Sequence, residues 1–365
     1  WITWLDTRLL FYGDVKPVAN HYFDRIESLA DIARQSDGGW DGFEPLYLQA
    51  QMEMTSAEDD TASDAIIARV SKAVIDIVKT YPAQNGLYDL TALVENADLS
   101  DGTTGWTASG GTMHGNSAGV GYIENTRSAV SVRQVLADMP AGQYTLLAQG
   151  FYRAEETAAY QRHYEMGKED VKANLVIGTV STPLCSQMDG RRFVWNRTSG
   201  IQATINGSGV ANSTSATVDA FAYGDYWNSA SYTLPADGNL PIGVSVGATS
   251  LTGNFTAFGN FRLLYGGIVP EVTLSDNDTE FSIETPTLAH VVLQKTMKAG
   301  ELTPICLPFD VTADSFDELY GVGSAADKTA QIYPVSRVRA GVPFVAKMNK
   351  EVESIDFGTV TLSPR

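Results

Sequence analysis

Two short segments combine aromatic rings with planar polar groups: Arg192, Trp195 and Asn196 in the first, and Tyr223, Asp225, Tyr226 and Trp227 in the second. Both lie in stretches rich in Gly, Ser and Asn, where a bulky ring is hard to explain as routine packing. A flat apolar face beside an amide, carboxylate or guanidinium is the chemistry of a binding surface. The opposing reading, in which Trp195 and Trp227 fold back over the edge of a core, uses the same residues.

Catalytic chemistry has less support in the residue pattern. His21, His114, His163 and His290 are scattered over three expected domains, which argues against a multi-histidine metal site. No nucleophile elbow, phosphate loop or zinc-binding spacing occurs. A glycosidase needs two carboxylates opposed across a cleft, and so acidic a sequence does not exclude such a pair. The densest acidic group, Glu155, Glu156, Glu165, Glu169 and Asp170, reads most simply as a solvated face.

The elements that must position these residues differ along the chain. Tyr22, Ile26, Leu29 and Ala33 recur at helical spacing between 17 and 34, with Pro17 at a permitted first-turn position. The run from Gly38 to Gly42 breaks that helix, and a shorter one is expected from Glu44 to Met54. Ser63 is expected to cap a third helix reaching about Tyr81, with Ile66, Val70, Val74 and Ile77 as its buried stripe. Past Leu87 the texture changes to short alternating runs separated by Gly, Asn, Asp and Ser, the pattern of a β-sandwich. Strands are expected at 90–94, 120–123, 129–135, 142–153, 173–177, 217–223, 231–234, 240–246 and 260–265, with one rim helix within 155–170. On the 142–153 strand Tyr144, Leu146, Ala148 and Gly150 share one face. Trp106 is assigned to the core. The segment from Gly266 to Pro270 reads as a linker. Beyond it a smaller β unit is expected, with strands at 281–283, 290–297, 303–309, 331–334, 343–348 and 355–361.

The fold class expected is therefore multidomain and mainly β: an α-helical domain at 1–86, a β-sandwich at 87–267 and a C-terminal β-domain at 268–365. At 365 residues the chain is too long for one compact core, and 44% hydrophobic with 19% charged residues marks it as globular. The formal charge of -18, from 43 acidic against 25 basic residues, makes nucleic acid and anionic membranes poor partners. No run approaches the roughly eighteen apolar residues of a membrane span. Because the sequence begins at Trp1, the natural start and any signal peptide or lipid anchor are expected upstream, and a continuation beyond Arg365 is compatible with a final strand so near the end. Trp1, Ile2, Trp4 and Leu5 form an apolar start that is expected to pack against the helices, with a partner protein as the alternative. Cys185 and Cys306, in different domains, are expected to be two buried thiols.

Several stretches carry a family resemblance. They are Asn96-Ala97-Asp98-Leu99, Gly105-Trp106, Ala141-Gly142-Gln143-Tyr144 and the finish Phe258-Gly259-Asn260-Phe261-Arg262-Leu263-Leu264-Tyr265. Together they resemble galactose-binding-like jelly rolls of the carbohydrate-binding-module type, found in secreted, multidomain surface proteins of Gram-negative gut commensals. Lys298 to Asp310 and Ala340 to Lys347 are similar to a β-module that often follows such domains. The resemblance covers roughly 88–365 and rests on strand and turn residues. It implies an extracellular, outer-membrane-surface or periplasmic protein that binds a glycan; with no catalytic motif in the sequence, the expectation is a monomer that binds a glycan or a surface protein and is not an enzyme. The alternatives are a structural or adhesin scaffold for a protein partner and, less favoured, an accessory or catalytic fragment of a glycoside hydrolase. Sugar sites on such folds set the C–H face of the sugar on an aromatic ring and its hydroxyls on planar polar groups, which directs attention back to the two aromatic segments. The resemblance also implies a structural calcium at the first-strand loop, where Asp98, Ser100 and Asp101 would supply oxygens. Gly259 stands where a further carboxylate is expected.

Overall fold

The computed structural model describes residues 20–110, 113–117, 120–166, 168–189, 193–195, 202–204, 211, 213–222, 224–249, 252–266, 271–275, 287–326, 329–335 and 337–362. The chain divides between Tyr88 and Asp89 into two compact units. The fold is mainly β with a helical N-terminal part.

The first unit packs three helices, α1 (Asn20–Arg34), α2 (Trp40–Thr55) and α3 (Asp60–Thr80). Their apolar stripes meet in a core containing Ile26, Leu29, Phe43, Met54, Val70 and Val74. Two boundaries differ from the sequence expectation. Trp40 opens α2 rather than ending a breaker, with the Arg34 guanidinium 4.6 Å from its ring centroid, a cation–π contact that rewards the early start. The cap of α3 is Asp59, whose side chain accepts from Ala62 N at 2.8 Å, while Ser63 is buried inside the helix. Pro17 and the apolar start at Trp1 lie outside the described residues.

The second unit begins with the sandwich. Eight strands carry it: β1 (Thr107–Gly110), β2 (Val120–Asn125), β3 (Val130–Met139), β4 (Gly142–Arg153), β5 (Ala173–Ile177), β6 (Trp227–Leu234), β7 (Gly238–Val246) and β8 (Phe255–Gly266). One sheet has the order β6-β4-β8-β2, extended by Met113–Ser117; the other has β1-β3-β7-β5, extended by Val180–Pro183. Successive strands β1 to β8 alternate strictly between the two sheets, which is the chain path of a jelly roll. Strand β3 alternates buried Val132, Gln134 and Leu136 with outward-facing residues such as the exposed Val135, so the second sheet meets water on one side. Strand β4 is different, being buried on both faces from Tyr144 onward. Its Tyr144, Leu146, Ala148 and Gly150 share a face as the alternation requires, and Phe151 on the opposite face packs beneath a helix.

That helix, α5 (Thr214–Ala222), corrects the expected strand at 217–223. Gly224 ends it in the left-handed region at φ 76°, with Gly224 N bonded to Phe221 O and Asp225 N to Ala220 O, the hydrogen-bond pair of a Schellman stop. A second correction is at 90–94, where a single 3₁₀ turn, Thr91–Leu93, replaces the expected strand. The expected rim helix is present as α4 (Thr157–Glu165). Trp106 is buried with its ring 4.6 Å from that of Phe261.

The C-terminal module faces a three-stranded sheet (Glu271–Ser275, Thr287–Met297, Val352–Leu362) against a four-stranded one (Leu302–Ile305, Phe344–Lys347, Glu318–Ala326, Thr329–Pro334). Phe309, Phe316 and Phe344 fill the space between them. Of the expected linker from Gly266 to Pro270, Gly266 instead ends β8, while 267–270 and the expected strand at 281–283 lie outside the described residues. Sandwich and module belong to the same compact unit. Cys185 is buried as expected, whereas Cys306 is exposed, at the end of a strand shorter than the sequence implied.

Candidate functional site

Sandwich and C-terminal module meet around a cavity of about 420 Å³. One wall comes from the sandwich, with Tyr164, Cys185, Asp189 and the run Gly224-Asp225-Tyr226-Trp227; the other comes from the module, with Asp310, Gly321, Tyr333, Arg337 and Arg339 among its residues.

The sandwich wall is built from the stop of α5. Gln149 on β4 donates from Nε2 to Phe221 O at 2.9 Å and Asp225 O at 2.8 Å, tying the helix end to the sheet. Tyr226 then takes a left-handed backbone at φ 60°, a strained conformation for a bulky side chain. Three hydrogen bonds hold it there: its hydroxyl donates to Gln187 O at 2.7 Å, and its carbonyl accepts from Gly150 N at 2.9 Å and from Asn228 Nδ2 at 2.8 Å. Asn228, fully buried, also donates to Ala148 O and Gly150 O, while its Oδ1 accepts from Cys185 N at 2.7 Å. This bracing sets the direction of the half-buried Trp227, whose ring has the Arg262 guanidinium 5.2 Å from its centroid.

The module wall centres on Arg339, whose side chain is 7% exposed. It pairs with Asp310 Oδ2, with Asp189 Oδ2 at 3.3 Å and with Asn228 Oδ1 at 3.2 Å, so one guanidinium joins the two modules. Arg337 donates to Asp310 Oδ2 at 2.6 Å and, across the seam, to the Pro183 carbonyl at 3.0 Å. Burial would raise the Asp310 carboxyl, but Arg339 and Arg337, with a hydrogen bond from Ala340 N, outweigh it and hold the group below its usual range. Asp310 is therefore a fixed anion and not a proton donor at neutral pH. Tyr164 donates to Asp189 Oδ1 at 3.1 Å, and its ring stands edge-on to Tyr333 with centroids 6.4 Å apart. Behind this wall Ser186 Oγ donates to Glu169 Oε1 at 2.5 Å, and burial pushes the Glu169 carboxyl up to about 7 against the lowering effect of that bond. Glu169 therefore departs from the solvated face expected of the acidic group around it.

The sequence-based candidates fall in three places. Asp225, Tyr226 and Trp227 come together at the cavity, with Asp225 and Tyr226 only 6% and 5% exposed, so Trp227 is the ring of this segment that remains half-buried. Trp195 lies on the strand Phe193–Trp195, its backbone paired with Gln202; Arg192, Asn196 and Tyr223 lie outside the described residues. Asp98, Ser100 and Asp101 are exposed in a loop closed by its own bonds, Ser100 N to Asp98 Oδ1 and Asp101 N to Asn96 Oδ1. At Gly259 an added Cβ would lie 2.6 Å from the Gly121 carbonyl, so the backbone of β2 occupies the space that a carboxylate there would need. These residues do not fit the calcium cage that the resemblance implies. Among the described residues no group of three or more His, Cys, Asp or Glu gathers elsewhere to hold a metal ion.

Asp189, Asp310, Arg337, Arg339 and Tyr333 were not singled out by sequence reasoning. Arg339 is 150 residues from Asp189 along the chain, and only the docking of two domains brings them together. The local signal was an Asp closing the Leu307-Pro308-Phe309-Asp310 run and two arginines two positions apart.

No family model and no curated protein matches the sequence. Among solved structures, the carbohydrate-binding module TmCBM61, in complex with beta-1,4-galactotriose, aligns at 12% identity over 47% of this chain and 96% of its own, with a TM-score of 0.25. The glycoside hydrolase domain of Endo-D from Streptococcus pneumoniae R6 aligns at 8% identity over 71% of this chain and 37% of its own, TM-score 0.20. A Paenibacillus xanthan lyase aligns at 11% over 71% and 25%, TM-score 0.22. Among the described residues no helix is long and apolar enough to cross a membrane.

Proposed function

We propose that this chain is a non-catalytic glycan-binding protein of the cell exterior and that the seam cavity is its binding site. The observation that carries the reading is the composition of that cavity, in whose lining the aromatic residues Trp227, Tyr333 and Tyr164 occur together with Asp189, Asp225, Asp310, Arg337 and Arg339. A sugar ring can lay its C–H face on such aromatics and direct its hydroxyls at the polar groups. Asp310 is held ionised by two arginines and is unsuited to protonating a leaving group; the non-catalytic reading rests on the sequence, which carries no catalytic motif. The exterior location is what the sequence resemblance implies, and a monomeric state is proposed with it.

Retention on a panel of plant and host polysaccharides tests the reading, with release of reducing ends measured in the same mixtures. The expected result is retention by at least one neutral polysaccharide, no released reducing ends, and retention lost in Trp227→Ala. Failure to bind any polysaccharide would sink it. A rigid scaffold for a protein partner is the second reading, favoured by the number of cavity groups that Arg339 commits to joining the modules; it predicts that Trp227→Ala changes nothing in the polysaccharide assay.

A further inference from the structure

We infer that Tyr333 is the ring on which a neutral sugar stacks in this cavity, and that Gly321 and Gly323 set the position of that ring; the inference rests on the glycan-binding reading above. Register fixes the side of the sheet from which the ring projects. Tyr333 pairs antiparallel with Gly321, so the two positions share one face. Tyr333 and Val335 line the cavity whereas Ile332 and Pro334 do not, and Gly321, Val322 and Gly323 line it from the neighbouring strand. The face that carries Tyr333 is therefore turned to the cavity.

On that face the ring rests where side chains are missing. A Cβ added at Gly321 would lie 2.8 Å from Cε2 and 2.9 Å from Cζ of Tyr333, and one added at Gly323 would lie 3.5 Å from Cε1. The outer end of the ring thus lies across two glycines of the next strand. A methyl group at Gly321 must displace it, while one at Gly323 fits at ordinary van der Waals distance. Neither glycine has a left-handed backbone, so the space above them is what an alanine changes. Across the seam the Tyr164 ring stands edge-on to Tyr333, and its hydroxyl is tied to Asp189 Oδ1 at 3.1 Å. Both rings are held before any ligand arrives, which spares the cost of ordering them on binding. Asp189, Asp310, Arg337 and Arg339 already bond to one another or to the backbone. The half-buried Tyr333 ring, with Val335 beside it, supplies the apolar surface that the C–H face of a pyranose takes.

Calorimetric titration of the full chain with neutral hexose di- to tetrasaccharides tests the inference. Tyr333→Ala, Tyr333→Phe, Gly321→Ala and Gly323→Ala are titrated alongside, each first checked for an unchanged thermal transition. Tyr333→Ala is expected to weaken binding by about tenfold or more, and Tyr333→Phe to keep it within about twofold. Gly321→Ala should weaken it by about threefold or more and Gly323→Ala should leave it near the wild type. Because the glycine variants keep the ring and only one of them moves it, they decide the matter even where Tyr333→Ala does not fold. Binding that is indifferent to Tyr333→Ala, or as weak in Tyr333→Phe as in Tyr333→Ala, overturns the stacking role and leaves glycan binding in place. Equal affinities of Gly321→Ala and Gly323→Ala overturn the role given to the glycines. If no oligosaccharide binds the wild type, the glycan-binding reading itself fails and this inference with it.

Discussion

Glu169 shows how much a single side chain depends on what folds over it. Burial outweighs the lowering effect of the bond from the Ser186 hydroxyl, so it keeps its proton up to about pH 7, against an ordinary value of 4.5. The unfolded chain releases that proton near 4.5, so between about pH 4.5 and 7 the folded state binds more protons than the unfolded one. Stability therefore falls across this window as pH rises. Asp310 acts in the opposite sense, because its folded value is depressed, and its contribution is lost only as pH falls below its ordinary 3.8. Thermal unfolding of the wild type is expected to show a lower transition temperature at pH 7.5 than at pH 5 (test conditions set by that window), and Glu169→Gln should flatten the difference. An unchanged slope in the variant would show that another group governs it. Asn228 makes a comparable point without charge: the two hydrogens of its amide are shared among the carbonyls of Ala148, Gly150 and Tyr226, and its oxygen accepts from Cys185 N, so one side chain ties together several backbone groups at the end of the sheet.

Among the elements, α5 decides what the site looks like. Gly224 holds a conformation that an L-residue adopts reluctantly, and an added Cβ would meet nothing nearer than Trp227 Nε1 at 4.0 Å. Gly224→Ala should therefore cost about 1 kcal/mol through the backbone alone, visible as a lowered urea midpoint, with Gly224→Asn costing less. A loss of several kcal/mol would mean that the stop of α5 carries more than its own conformation. The strands were legible where an apolar run was bounded by turn residues: 142–153 and 173–177 were anticipated residue for residue, and both are buried at nearly every position. Helix α5 was not, since Thr, Val and Phe suit a strand locally, and the signals that contradict it, Ser213 bonded to Ala216 N and Gly224 two places past the end, are short-range marks of a helix. Glu318–Ala326 was missed for the converse reason, because Gly321 and Gly323 dilute its pattern. Tyr226 of the second candidate segment, and Asn228 just past it, proved to be support for the site, with Tyr226 aimed at Gln187 and Asn228 at the sheet.

At the scale of the molecule, Arg339 makes one body of two β modules. Removing it takes the cation from Asp189 and leaves Asp310 to Arg337 alone, and breaking a buried pair costs up to about 3–5 kcal/mol. Calorimetry of Arg339→Met is expected to separate the sandwich and C-terminal module into two transitions where the wild type gives one for both. A single transition at the wild-type temperature would mean that the apolar contacts of the seam suffice. The opposite wall of the cavity, and the far side of the seam, could not be read from the sequence because Pro183 and Arg337 are 154 residues apart and meet only after both modules have folded.

The bond between Arg337 and the Pro183 carbonyl has one more consequence. Val180–Pro183 is the last strand of its sheet, and a free edge of that kind invites the strand of another copy to add to it. Arg337 of the C-terminal module takes up one carbonyl at the end of that edge, which removes a group that a second copy would pair with. A sandwich expressed without residues 271–362 would then self-associate through the uncovered edge, and its apparent oligomerisation would be an artefact of the cut.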